Sequence, residues 1–234
     1  MGTARLPAFA AAHELRLGRE INVPVWGLPD LSGRLVELSA GAEAAHLTAA
    51  FGLVLEAQLS GDRAAWVALG PTSFFPPDVI DTGIDLDALP VVHASDVRMA
   101  GRAADHLVRS GGFGLVVIDL SGRTTLSGRT TRFSRPDDAV LVPDDECFSP
   151  RTTLSVPLLT RLLGLARRQD VTVLLLTRKS PDAPSMNSLI ALRAEAQWRW
   201  RDGRYEICVR VIKDKRSGAG WTHVEACHGP AGLR

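Results

Sequence analysis

The sequence predicts a single α/β domain whose mostly parallel sheet is flanked by helices and extended by a C-terminal antiparallel hairpin. Three observations carry this. Two continuous apolar runs, 115–119 (LVVID) and 171–177 (VTVLLLT), are too short for helices and lack a polar face, the pattern of strands covered on both sides. Helical stretches alternate with such strands, as parallel strands joined by crossovers require. Near the end, the alternating run WRWR meets Asp202-Gly203 and then a second alternating run, RYEICVRVIK, a strong hairpin signal.

The elements follow in order. Residues 34–39 (RLVELS) form a first buried strand, and 42–60 an Ala/Leu-rich helix. A second strand at 64–69 (AAWVAL) runs into PTSFFPPD, whose prolines exclude helix and central strand. A short strand at 90–93 precedes a helix from about 97 to 109, stopped by Gly111-Gly112. Beyond Asp119 the stretch 121–153 is rich in Ser, Thr, Arg, Asp and Pro and has no periodicity, a length that points to a functional loop. A helix at 156–168, the strand 171–177, a helix near 187–195, the hairpin and a last strand at 221–226 complete the chain. An N-terminal segment (1–30, with helical spacing of Leu6, Phe9, Leu15 and Leu17), one core domain (31–228) and a short tail (229–234) are expected. Ligands of such sheets bind at the carboxyl ends of the strands, here beyond Leu38, Leu69, Asp119 and Thr177.

Composition narrows the function. The 234 residues are 45% hydrophobic and 23% charged, with 27 basic and 26 acidic side chains, so the chain is a globular domain and not a polycation. The balance hides an asymmetry. Residues 1–110 carry 8 basic and 13 acidic groups, and residues 111–234 carry 19 and 13, so the second half is the one suited to an anionic partner. Cys147, Cys208 and Cys227 include no C-x-x-C pair, which argues against a disulfide framework or zinc site and for a cytoplasmic chain. No stretch approaches the roughly 20 apolar residues of a membrane span, and the N-terminus lacks the pattern of a signal peptide. Only three lysines are present, Lys179, Lys213 and Lys215.

The first strand, loop and helix occupy the place of a P-loop, in which glycines let backbone amides cradle phosphate and a lysine reaches the terminal phosphates. In the corresponding octet Ala40 and Ala45 replace both glycines, His46 replaces the lysine, and Leu47 replaces the Ser/Thr that holds magnesium. Asp119 ends a strand resembling Walker B. It is either a magnesium ligand or, with no phosphate cradle beside it, a structural acid. No Ser-His-Asp or Cys-His arrangement emerges, so hydrolase chemistry has no support.

These residues resemble the RecA recombinases. GRLVELSAGAEAAHLT is similar to the RecA opening GRxVEIxGPxxSGKTT with its nucleotide chemistry removed. TGIDLDAL, RSGGFGLVVIDL and VRVIKDK follow in the RecA order, over about residues 30–228. Within that fold the combination of a degraded P-loop and this length resembles the ImuA (SulA-like) family of damage-inducible mutagenesis accessory proteins.

The resemblance implies a RecA-like core, no cofactor, no metal and no catalysis. It implies partners in RecA, a catalytically inactive Y-family polymerase homologue and an error-prone replicative-type polymerase, in translesion synthesis during the SOS response. Arg178 stands where RecA has the glutamine that couples nucleotide to the DNA loop. Arg123, Arg129, Arg132 and Arg135 fall in the position of the first DNA-binding loop, which would contact single-stranded DNA, or else form a solvated loop with the acids that follow. Lys213 and Lys215 match lysines that reach a neighbouring protomer's ATP in RecA filaments, so the chain would dock on, and cap, a RecA filament; otherwise they are an ordinary exposed pair. A divergent ATP-binding repair ATPase and a cell-division inhibitor are the alternative functions.

Overall fold

The structure, a computed structural model, describes residues 24–40, 45–70, 79, 82–121, 153–202 and 204–227. After a one-turn helix α1 (Leu28–Leu31) come β1 (Leu35–Ala40), α2 (Ala45–Leu59), β2 (Ala64–Leu69), β3 (Val91–Ala94), α3 (Val97–Ser110) and β4 (Leu115–Asp119). There follow α4 (Val156–Gln169), β5 (Thr172–Arg178), β6 (Leu192–Arg201), β7 (Arg204–Asp214) and β8 (Thr222–Cys227). The eight strands form one sheet in the order β3-β2-β4-β5-β1-β6-β7-β8. From β3 to β6 neighbours are parallel, and β6-β7-β8 are antiparallel.

Strand alternation builds two cores from the same strands. On one face Val36, Leu38, Trp66 and Leu174 pack against Leu53 and Val54 of α2. On the other, Leu35, Ile118, Val173 and Leu175 pack against Ala104 of α3 and Leu159 and Leu162 of α4. Period-two alternation turns a continuous apolar run into two buried faces, which is why LVVID and VTVLLLT are central strands. The helices stop where local chemistry stops them. Asp96 caps α3 by accepting from the Met99 amide at 2.8 Å, and Gly111 closes it at φ 67°, a left-handed conformation that costs glycine nothing.

One predicted element is replaced by another. The helix expected near 187–195 is absent; a turn in which the Ile190 amide donates to the Asn187 carbonyl leads directly into β6. Leu192, Ala194 and Ala196 belong to the α2 core, while Arg193 and Glu195 lie between them on the opposite face. The period is therefore two. Alanine's helix propensity is overridden by the open edge of β1, along which Val36–Ala40 pairs with Leu192–Ala196. The hairpin forms as expected, with Arg201 paired to Arg204 and Asp202 at φ 51° in the first turn position. The segment 7–20, Cys147 and the arginines Arg123, Arg129, Arg132 and Arg135 lie outside the described residues.

Candidate functional site

The parallel register brings the ends of β1, β4 and β5 together. Ala40 pairs with Arg178, and Asp119 with Leu176, so Ala40, Asp119 and Arg178 meet at the carboxyl edge of the sheet. The sequence had grouped these residues by motif alone, and the fold places them at one edge.

His46, the second residue of α2, departs from expectation. A histidine at a helix start with no visible partner is ordinarily a solvated surface residue, but His46 is only 2% exposed and neither ring nitrogen has a hydrogen-bond partner among the described residues. Burial lowers its pKa to about 4, with Asp119 pulling upward and Arg178 pushing further down. At neutral pH the position of a P-loop lysine therefore holds an uncharged imidazole. Ala45 is fully buried, and Leu47 packs against the α2 core, so its side chain contributes to the hydrophobic interior where a magnesium-binding hydroxyl would stand. Asp119 is buried and accepts from both the amide and the hydroxyl of Ser121, turning its carboxylate back onto its own chain. Arg178, at the end of β5, is exposed. No group of three or more His, Cys, Asp or Glu able to hold a metal ion occurs among the described residues.

Lys213 and Lys215 lie at the other end of the sheet. Because β7 runs antiparallel to β6, its last residues return to the level at which β1 and β6 begin: Arg193 pairs with Lys213, and Leu192 with Asp214. Lys213 is half-buried, its Nζ 3.4 Å from the Ser185 hydroxyl, and Lys215 donates to the Ser188 carbonyl. Burial first, then Lys215 and Arg193, lower the Lys213 pKa, while Glu37 raises it. The pair is thus laid along the 179–191 loop.

That loop rests on a charge network to which motif reading assigned nothing. Glu37 sits fully buried in the middle of β1, and Lys179, 7% exposed, reaches it at 2.9 Å. The other contacts of the Glu37 carboxylate are the Thr177 hydroxyl at 3.2 Å and the Met186 amide at 2.8 Å. Lys179 also donates to the Pro184 carbonyl, and Arg193 to the Ser180 carbonyl at 2.7 Å. A second buried pair, Arg34 with Asp214, joins the start of β1 to the end of β7. Burial opposes the charge on Asp214, but the Arg216 amide, Arg34 and the Trp221 indole outweigh it and hold the carboxyl below its usual range. The available signal was an acid in the strand LVELSA, whose other residues are apolar but for Ser39, and one of only three lysines just past the end of another strand.

Comparison with known proteins agrees with this architecture. No family model matches the chain. Protein RecA of Teredinibacter turnerae is 30% identical over 119 residues, covering 51% of this chain and 34% of that protein. Protein RecA of Rhodospirillum rubrum is 36% identical over 103 residues, covering 44% of the chain and 27% of the relative. Protein RecA of Salinispora tropica is 35% identical over 117 residues, 50% of the chain and 31% of the relative. The matches span about a third of the relatives' own length. With its eight-stranded sheet and antiparallel C-terminal strands, the chain has a RecA-like α/β core and is distantly similar to RecA over about half of its own length.

Proposed function

We propose that the chain is a non-catalytic RecA-like adaptor in damage-induced mutagenesis, whose partners are RecA and the inactive Y-family and error-prone polymerases of a mutagenesis cassette. The observation that carries this reading is the buried, uncharged His46 at the P-loop lysine position, with Ala40, Ala45 and Leu47 at the other defining positions. Catalysis of phosphoryl transfer depends on positioned cations and amide donors around the phosphates, and this set supplies a neutral ring and apolar side chains in their place. The same edge keeps an acid, Asp119, whose carboxylate would repel phosphate.

At the opposite end of the sheet Lys213 and Lys215 remain. An adaptor with this pair but no phosphate-binding face of its own would seat on the nucleotide side of a RecA protomer and give the next protomer nothing to join, which caps or disassembles a filament. The test is retention of RecA on the immobilised chain, read beside RecA filament assembly by light scattering. Lys213→Ala/Lys215→Ala should lose retention and inhibition together. Unchanged inhibition by that variant would remove the docking model. Retention of a tubulin homologue in place of RecA would favour a cell-division role.

A further inference from the structure

The two edges of the sheet are unlike. At one, β3 has four residues. At the other, β8 is a six-residue strand with the sequence Thr-His-Val-Glu-Ala-Cys, paired on its inner side to β7 without a register shift. Exposed edges are ordinarily blunted by lysine, proline, a bulge or extreme shortness, because their open amides and carbonyls template further pairing. Among the described residues β8 carries no lysine, proline or bulge, its charged Glu225 shares the α2 side with His223, and Val224 on it is 49% exposed.

The side chains of β8 are self-complementary. Its pairing with β7 sets His223 opposite Val209 and Glu225 opposite Ile207, so both lie on the α2 side; Val224, opposite Cys208, lies on the other. When β8 meets an antiparallel copy of itself across a two-fold axis through Val224, side chains directly opposite share a face, as a pleated sheet demands. Val224 then meets Val224 of the second copy, Thr222 meets Ala226, and His223 meets Glu225 on each side of the axis. No like charges oppose each other. Glu56 of α2 lies near this edge: burial holds its carboxyl above its usual range, the Leu28 amide opposes that, Glu225 adds to it and His223 counters it. Within one chain His223 already stands 3.9 Å from Glu225, and the antiparallel copy sets its own His223 directly opposite the same residue.

We infer that β8 is a homodimerisation edge, at which a second copy of this chain adds in antiparallel fashion about Val224 to make one continuous sixteen-stranded sheet. The contact is isologous, each copy offering the same surface, and it closes at two subunits because each chain spends its one β8 edge. The inference goes beyond the adaptor reading and does not depend on it.

Cross-linking through the axis tests it. In a chain carrying Cys147→Ser and Cys227→Ser, Val224→Cys brings two thiols together on strands whose opposed Cα atoms are about 4.5–5.5 Å apart, within disulfide reach. Glu225→Cys in the same background places its thiols about 8 Å apart at the Cα atoms, outside that reach. Mild oxidation should give a covalent dimer with Val224→Cys and at least tenfold less with Glu225→Cys. Sedimentation of the unmodified chain should give twice the mass of the 25.2 kDa protomer. Glu225→Lys should shift it to monomer by setting a cation against His223, and His223→Glu combined with Glu225→Lys should restore the dimer. A monomer at all concentrations up to 100 μM overturns the inference. So does a dimer that cross-links equally at both positions, or one that survives Glu225→Lys, because its contact lies elsewhere.

Discussion

The two ends of the sheet carry opposite chemistry. At the carboxyl edge of β1, β4 and β5, positions that would hold phosphate in a P-loop hold Ala40, Ala45, Leu47 and an uncharged His46, and the remaining acid, Asp119, is tied to Ser121. At the far end Arg34 and Asp214 form a buried ion pair with Lys213 and Lys215 beside it, and a second buried pair, Glu37 with Lys179, lies between the two ends, in the middle of β1. The carboxyl edge keeps Asp119 and the exposed Arg178 but has an uncharged ring at His46, while the middle and the far end of the sheet hold paired charge in the interior. Buried charge survives only where it is paired and further hydrogen-bonded, so the far end is a specified structure. The apolar end keeps the fold without the chemistry, because Leu47 and Ala45 fill the core that anchors α2.

The largest effect expected from this contrast is at Glu37. Glu37→Ala leaves the Lys179 ammonium buried without its carboxylate, and stability to urea should fall by about 3–5 kcal/mol. Replacing both, as Glu37→Leu with Lys179→Met, should recover most of that loss, because the desolvation cost leaves with the charges. A single-variant loss below about 1 kcal/mol would mean the pair is solvated and the interior of the sheet is not built as described.

The next effect is at the other end, and pH reads it. The folded pKa of His46 lies near 4, below its ordinary value of 6.5, so the unfolded chain binds the proton more readily. Stability from this residue is complete above about pH 6.5 and declines as pH falls toward 4, by an amount on the order of 3 kcal/mol. His46→Leu should remove that part of the slope and, by dispensing with two unpartnered ring nitrogens, leave the protein at least as stable at pH 7. An unchanged slope between pH 6.5 and 4.5 would place His46 in solvent. Asp214, whose carboxyl is held low, adds loss at more acidic pH and so is separable from it.

The smallest effect tests what is surface. Trp200 is 64% exposed and stands 4.6 Å from the Tyr205 ring across the hairpin. Trp200→Ser should alter thermal stability by no more than about 0.5–1 kcal/mol, the worth of one aromatic pair at an exposed site. A larger loss would show the hairpin tip to be part of the core.

The two ends were also unequally legible. β2 and β4 were read to the residue, because a short apolar run between turn signals admits few other structures. The hairpin was legible from Asp202-Gly203, since few dipeptides satisfy its backbone. That Ala40, Ala45, His46 and Leu47 depart from the P-loop pattern is a matter of residue identity alone. The burial of His46 was not: it depends on how α2 seats over the sheet, which no local pattern encodes. Nor was the Glu37–Lys179 pair, whose partners are far apart in sequence and meet only when β5 is laid beside β1. The misread helix at 187–195 has the same origin, for Ala194 and Ala196 face α2 because β6 found the open edge of β1.

Titration calorimetry with magnesium and ATP against the whole chain is the most direct test of the contrast between the two ends. A carboxyl edge with an uncharged His46 and apolar Ala40, Ala45 and Leu47 predicts no saturable heat up to millimolar nucleotide. Magnesium-dependent binding in the micromolar range, abolished by Asp119→Asn, would contradict it and restore this edge as a working nucleotide site.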